Sequence, residues 1–310
     1  MEGTKDRRIP MEFGGVTMSK SKLRWRYMLG SGALMLLCAG LALAQTWWPP
    51  KPPRGYNIFN EQQEYWLGEI MADEAELDDH VIKDAEATKY LEAVGNRLVQ
   101  QSKAPTLRFQ FFLIESDEPN AFALPGGRVY VNRGMVTLCS NEAELAAVVA
   151  HEIGHGVLRQ GAKTFSRWLA WGPGIRKVGD REDIQNKINL LEAHLKATGR
   201  FQQATDLLFG ISRTDELWAD KYGIWDTYST GYDPKAAIAV FQRIATLQKE
   251  NRIDDPWLRL LGTLFSSHPA TKERIELLRL ELPWMKPKAD AILDTEAFRA
   301  LKSRLAPTAP

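Results

Sequence analysis

The stretch that decides the interpretation of this sequence is HEIGH, residues 151–155. Residues four apart on a helix lie on the same face, so His151 and His155 can reach one metal ion while Glu152 projects beside it. Either histidine alone would be interpreted as a buried core residue. The pair, with a glutamate between them, predicts a metal-binding helix.

A catalytic zinc site needs a third protein ligand, which must come from another part of the chain. His80 and His194 lie in highly charged helical segments, where a solvated surface histidine is the simpler interpretation. Glu216 and Asp220 are one helical turn apart, so one can bind the metal while the other accepts a hydrogen bond from a ligating imidazole. The spacing leaves open which carboxylate does which, and such a pair by itself is typical of a solvated helix face.

The segments before HEIGH predict a small sheet among helices. Helical patterns cover about residues 61–76 and 84–101, and residues 107–114 are rich in Phe and Leu, as in a strand. Residues 120–127 (NAFALPGG) and 128–132 then predict two short strands around a Pro-Gly-Gly turn.

Helical patterns dominate from Asn141 to the end of the sequence. Glu144, three residues after Asn141, predicts a capping box at the start of the metal-binding helix. Cys139 is the only cysteine after residue 44, so no intrachain disulfide is expected beyond that point, and we interpret Cys139 as a small core residue. The predicted fold class is α+β, mainly α, with a small β-sheet beside the HEIGH helix.

HEIGH followed about 60 residues later by ELWAD (residues 216–220) resembles the zinc endopeptidase family that includes the CAAX prenyl endopeptidase, HtpX and the periplasmic BepA-like proteases. The likeness extends to NAFALPGG (residues 120–127), to Ser-His-Pro at residues 267–269, and to Arg274. It covers about residues 61–280 and implies a zincin-like metallopeptidase fold.

The resemblance also implies a role for each site residue. His151, His155 and Glu216 correspond to the ligands of one zinc ion. Glu152 corresponds to the general base, and Asp220 to the carboxylate that supports a ligand from outside the first coordination shell.

The resemblance places His268 near the metal. There its imidazole either occupies the open coordination position as a latch or stabilises the oxyanion that develops during hydrolysis. Arg274, six residues on, would support it. Because Pro269 follows His268, a helix-start residue without a catalytic part is the alternative.

The resemblance further implies an edge strand along which a substrate chain is held by main-chain hydrogen bonds. Its residues are Asn120, Ala121, Phe122 and Ala123. An ordinary hairpin is the alternative. The segment 164–179, which carries two tryptophans and a Gly-Pro-Gly run, is interpreted either as a lid over the site or as plain loop packing.

Composition and charge exclude several classes of protein. Hydrophobic residues make up 44% of the 310 residues and charged residues 25%, values typical of a globular protein with a proper core. Forty basic residues against 39 acidic residues give a net charge of +1, which removes the electrostatic argument for a nucleic-acid partner.

The amino-terminal end, residues 1–44, predicts export. Lys20, Lys22, Arg24 and Arg26 precede an uncharged run over residues 27–44 that ends in Ala-Leu-Ala. This pattern is typical of a cleaved secretory signal, and the run is also long enough for a retained inner-membrane anchor. Both alternatives send the rest of the chain into the periplasm, and Met18 is a candidate for the true start.

We divide the chain into four parts: a signal peptide or membrane anchor (1–44), a Pro-rich linker (45–59), the metallopeptidase domain (60–283) and a C-terminal tail (284–310). The multi-span membrane region of HtpX-like enzymes is not expected here. Only 27 residues follow Pro283, so we also expect no repeat domain of the kind that BepA-like proteases carry.

The function expected from these features is zinc-dependent hydrolysis of peptide bonds in unfolded or misassembled proteins of the bacterial periplasm. The expected partners are unfolded or extended polypeptides. The alternative is a metal-binding chaperone or adaptor whose site is held latched, with little proteolysis. An intact Glu152 favours the enzyme, because a purely structural metal site has no use for a base beside the ion.

Overall fold

The structure is a computed structural model that describes residues 55–75, 77–104, 106–198, 213–250 and 272–306. All of them belong to one compact unit, Pro52–Pro310. The predicted signal or anchor segment and His268 lie outside the described residues. Within the described part of the chain, no helix combines the length and the apolar character needed to cross a membrane.

The described residues form a mainly helical α+β fold, which confirms the predicted fold class. Its helices are α1 (Glu61–Glu74), α2 (Ala85–Gln101), α3 (Arg133–Leu138), α4 (Glu142–Val157), α5 (Gln160–Trp171), α6 (Arg181–Thr198), α7 (Arg213–Ser229), α8 (Lys235–Glu250), α9 (Lys272–Glu281) and α10 (Glu296–Leu305). Its strands are β1 (Gln110–Ile114), β2 (Ala121–Leu124) and β3 (Arg128–Asn132). The Pro-Gly-Gly segment forms a 3-10 turn, Pro125–Gly127, between β2 and β3.

The three strands form one sheet in the order β1-β3-β2. β1 runs parallel to β3, with Phe112 opposite Tyr130, and β2 runs antiparallel, with Phe122 opposite Tyr130. These three rings stack with centroids 4.7 and 5.0 Å apart, on the sheet face that also packs against Ala72 of α1. The other face packs against α4, so the sheet lies beside the predicted metal-binding helix.

Helix α4 lies at the centre of the main core. Every residue from Glu142 to His155 is buried, because the sheet, α2, α7 and α8 all pack around it. The side chain of Asn141 caps its first turn by accepting a hydrogen bond from the Glu144 backbone N–H at 3.0 Å. Cys139, just before the cap, is fully buried, as the sequence predicts.

Two glycines allow α4 and α7 to approach closely. A Cβ atom at Gly154 would lie 3.0 Å from the Ala219 carbonyl oxygen, and one at Gly223 would lie 3.0 Å from the His151 backbone nitrogen. Larger residues at these positions would push the helices apart. The glycines therefore set the distance between the HEIGH turn and the helix that carries Glu216.

The segment expected to be a C-terminal tail includes a helix that packs on the main core. Thr295 caps α10 by accepting a hydrogen bond from the Phe298 N–H at 3.1 Å. The side chains of Phe298, Leu301 and Leu305 are buried against the main core. The described part of this segment, residues 284–306, thus contributes to the apolar interior.

Candidate metal centre

Helices α4 and α7 bring three ligand-type side chains to one buried point. His151 and His155 project from the same face of α4, and their Nε2 atoms lie 2.9 Å apart. Glu216 of α7 places Oε2 3.5 Å from His151 Nε2 and Oε1 3.6 Å from His155 Nε2. The ligand atoms of these three residues all lie within 4.8 Å of one another, an arrangement that could hold a metal ion.

The spacing and charge of these groups fit a divalent cation. Zinc binds His nitrogen and carboxylate oxygen at about 2.0–2.2 Å in a tetrahedral arrangement, which separates neighbouring ligand atoms by about 3.4 Å. The carboxylates of Glu152, Glu216 and Asp220 lie around the imidazoles, against the guanidinium of Arg274. With both imidazoles neutral, these described groups sum to a charge of −2, which a divalent ion would balance.

Asp220 orients His151 from the side away from the ligand point. Its Oδ1 lies 3.0 Å from His151 Nδ1. Burial lowers the pKa of His151, but its hydrogen bonds to Asp220 and Glu216 outweigh the effect of burial and raise that pKa to about 9. A metal ion competes with the proton that this pKa describes, so metal binding weakens as pH falls.

Arg274 of α9 binds Glu216 and Asp220 of α7. Its Nε and Nη2 donate to the two oxygens of Asp220 at 2.7 and 2.6 Å, and its Nη1 lies 2.9 Å from Glu216 Oε2. Although burial raises the pKa of Asp220, the hydrogen bonds from Arg274 and His151 hold it below its ordinary value. Arg274, expected to support His268, therefore fixes Glu216 and Asp220, while its relation to His268 stays a prediction.

Comparison with known proteins identifies the family of this chain. The model of peptidase family M48 matches residues 85–281, more than half of the chain. The chain belongs to peptidase family M48. This confirms the resemblance drawn from HEIGH, ELWAD and the flanking motifs.

Several curated proteins are similar to this chain. The beta-barrel assembly-enhancing proteases of Yersinia pestis and Escherichia coli K12 are each 28% identical, over 77% and 78% of this chain and 48% of their own lengths. The mitochondrial metalloendopeptidase OMA1 of Schizosaccharomyces pombe is 29% identical over 66% of this chain and 55% of its own. The chain therefore spans about half the length of the curated relatives it matches.

Gln160, at the start of α5, is a contact of this M48 site that sequence reasoning missed. Its Oε1 accepts a hydrogen bond from His155 Nδ1, and the Gln160 side chain is buried. The available signal was a polar residue five positions after the second histidine, where the helix has ended. Nothing in the sequence shows that the chain turns back toward His155 at that point.

The predicted substrate strand lies next to the predicted metal ligands. Ala121 and Ala123 pack on the face of β2 that meets α4, whereas Phe122 faces the opposite side of the sheet. Asn120 precedes the strand, and its carbonyl accepts a hydrogen bond from the Asn132 N–H at 2.9 Å. Ala123 and His155 border the same small cavity.

The other histidines considered as ligands lie elsewhere. His80 is exposed on a 3-10 turn, and His194 lies on α6; neither belongs to the group of metal-ligating side chains. In the candidate lid, residues 164–171 continue α5 and bury Trp168 against a second core. The structure thus favours packing over a lid for this half of the segment.

Proposed function

We propose that this chain is a zinc-dependent endopeptidase. The observation that carries the proposal is the convergence of His151, His155 and Glu216 at one buried point, with Glu152 on the same turn of α4. Membership of family M48 supports it, and relatives are named protease and metalloendopeptidase.

In this proposal His151, His155 and Glu216 hold the zinc ion. When bound, zinc lowers the pKa of water and polarises the scissile carbonyl. Glu152 takes the proton from the attacking water and delivers it to the leaving amine. Asp220 and Arg274 keep His151 and Glu216 in place, so the ligands need little rearrangement during the reaction.

We further propose that the substrate is an unfolded or extended polypeptide. β2 lies at an edge of the described sheet, and its Ala123 borders the same cavity as His155, which supports a strand-shaped partner at this position. Pairing with a strand depends on main-chain hydrogen bonds, so it selects extended segments more than particular side chains.

The proposed setting is protein quality control in the bacterial periplasm. The basic, apolar and Ala-Leu-Ala sections of residues 20–44 support export, either with cleavage or with retention as an inner-membrane anchor. The name of the relatives in Yersinia pestis and Escherichia coli, beta-barrel assembly-enhancing protease, fits a role in disposing of misassembled proteins.

The test compares Glu152→Gln with Glu92→Gln, an exposed glutamate of α2. Zinc content is measured by elemental analysis, and proteolysis is measured with unfolded casein as the substrate. We expect about one zinc per chain in all three proteins, and a rate reduced by ~10²–10⁴ or more in Glu152→Gln alone, because an amide cannot accept the proton. A parent protein that binds zinc without cleaving casein, or a Glu152→Gln rate within threefold of the parent, would contradict the proposal.

A further inference from the structure

Gln160 contacts the metal centre at Nδ1 of His155, the ring nitrogen other than the one that faces Glu216 of α7. It is the first residue of α5, directly after the two-residue connection from α4, and its side chain is 4% exposed. Its amide oxygen accepts the hydrogen bond of His155 Nδ1. The second ligand histidine thus has a dedicated partner on an element that carries none of the other site residues.

The proton on His155 decides whether this imidazole can bind a metal. A neutral imidazole coordinates through the nitrogen that lacks a proton, and the partner of the other nitrogen sets which one that is. Nε2 of His155 faces His151 and Glu216, so the proton must stay on Nδ1. An amide oxygen at Nδ1 can only accept, which stabilises the required tautomer.

We propose that Gln160 is a positioning residue that holds His155 in its metal-binding tautomer and orientation. This inference rests on the proposed function, in which His155 is a ligand. It makes the two histidines unequal: a carboxylate, Asp220, supports His151, whereas a neutral amide supports His155. The amide orients its ring without adding a further negative charge to a site already rich in carboxylates.

The backbone turn that delivers Gln160 is held by its own contacts. Arg159 has φ +55°, a left-handed conformation that is unusual for a residue with a long side chain. Its Nε donates to Glu64 Oε1 at 2.7 Å, and buried Glu64 also accepts a hydrogen bond from Asn57 at 2.6 Å. This turn reverses the chain after α4 and directs Gln160 back under His155.

The turn is also fixed against the sheet. A Cβ atom at Gly161 would lie 2.9 Å from Pro125 Cγ, so the start of α5 packs directly on the turn that follows β2. Gln160 and His155 border a cavity together with Ala123 and Leu124 of β2. The Gln160 side chain therefore lies near both α4, which carries His155, and β2, the strand proposed to hold substrate.

The experiment uses Gln160→Met and Gln160→Glu in the full chain. Methionine keeps the length of the side chain and removes the acceptor, whereas glutamate restores an acceptor. Gln185→Met is the matched control, since Gln185 is a surface amide of α6 that bonds Glu74 and Asn189. Zinc dissociation constants are measured by chelator competition after stripping the metal, and melting temperatures of the stripped proteins report on folding.

We expect Gln160→Met to bind zinc about 10–100-fold more weakly than the parent, the range seen for partners of ligating histidines. Gln160→Glu and Gln185→Met should bind within about threefold of the parent. Nitrogen-15 NMR should show His155 protonated at Nδ1 in the parent and in Gln160→Glu, and a mixture of tautomers in stripped Gln160→Met.

Two results would overturn the inference while leaving the proposed function intact. The first is a Gln160→Met protein that binds zinc as tightly as the parent. The second is equal weakening in Gln160→Met and Gln160→Glu, which would point to packing rather than to the acceptor. A parent protein that binds no zinc would instead overturn the proposed function, and this inference with it.

Discussion

The two ends of α4 both bury carboxylates, and the groups around those carboxylates differ. At the amino-terminal end, Glu142 accepts hydrogen bonds from Tyr232 at 2.6 Å, from Arg97 at 3.0 Å and from the Thr295 hydroxyl. Burial raises the pKa of Glu142, but the hydrogen bonds from Thr295 and Tyr232 hold that pKa below its ordinary value.

The second carboxylate at this end has its own guanidinium. Glu144 binds Arg243 at 2.5 Å and accepts the Ser140 N–H at 2.7 Å. Only half of the predicted capping box forms. The Asn141 side chain accepts the Glu144 N–H as predicted, but the Glu144 side chain accepts the N–H of Ser140 instead of that of Asn141. Two carboxylates and two guanidiniums balance each other at the amino-terminal end.

At the carboxyl-terminal end, the charges of the residues that the structure describes do not balance. Among the described residues, Glu152, Glu216 and Asp220 surround the two imidazoles, with Arg274 as their guanidinium. The comparison teaches that buried charge alone does not identify a site. A shortage of cations beside imidazoles does, because burying unbalanced carboxylates is costly without a bound cation.

The sharpest test of this comparison removes one carboxylate from each end. Glu216→Ala should lose its zinc almost completely, since two imidazoles leave an incomplete set of ligands, and casein cleavage should vanish with it. Glu144→Ala should be less stable yet retain about one zinc per chain by elemental analysis. Full zinc in Glu216→Ala, or loss of zinc from both folded variants, would break the distinction between the two ends.

A buried carboxylate away from both ends of α4 sharpens the comparison, because among the described residues it has neither a guanidinium nor an imidazole as a partner. Asp226 of α7 is fully buried, and no described residue gives either oxygen a hydrogen bond. Burial raises its pKa to about 8, with Lys103 acting against this. Between the unfolded pKa near 4 and about 8, the folded chain binds more protons than the unfolded chain, so stability falls as pH rises.

Asp226→Asn should remove that loss of stability. The free energy of unfolding of the variant should exceed that of the parent by an amount that grows by at most about 1.4 kcal/mol per pH unit, reaching an upper bound of about 4 kcal/mol at pH 7. Urea denaturation of both proteins at pH 4, 5.5 and 7 measures this difference in the free energy of unfolding. A constant difference across these pH values would show that Asp226 is ionised in the folded protein.

The smallest expected effect concerns the balanced end. Glu142→Ala should lower the free energy of unfolding by about 2–3 kcal/mol, because Tyr232 and Thr295 lose a charged hydrogen-bond acceptor. Glu92→Ala, on the exposed face of α2, is the control and should change stability little. Urea denaturation gives the stability and elemental analysis the zinc content. A zinc content reduced in folded Glu142→Ala would show that this network serves the metal centre as well.

The part of the site that lies within one helix could be predicted from the sequence. The four-residue spacing of His151 and His155 fixes their shared face, because the helical period decides it. Glu216 required the family resemblance, since spacing could not choose between it and Asp220. The reason is tertiary: the close approach at Gly154 and Gly223, which brings α7 to the ligands, leaves no periodic signal in the sequence.

Gln160 and the strand order lay beyond sequence reasoning for similar reasons. The left-handed turn at Arg159 carries none of the usual Gly or Asn signals and depends on Glu64, about 95 residues earlier. The run rich in Phe and Leu and the Pro-Gly-Gly turn predicted strands, but not that β1 pairs in parallel with β3. Both features arise from contacts between distant parts of the chain.

The metal centre joins chain segments that are far apart in the sequence. His155 precedes Glu216 by about 60 residues, so an ion bound by both would cross-link the chain and close a long loop. The unfolded chain has no preformed site, because its ligands are not held together. The free energy of ion binding is therefore part of the free energy of folding. The concentration of available zinc would therefore set how long the folded protein survives heat and other proteases, as well as how fast it cuts.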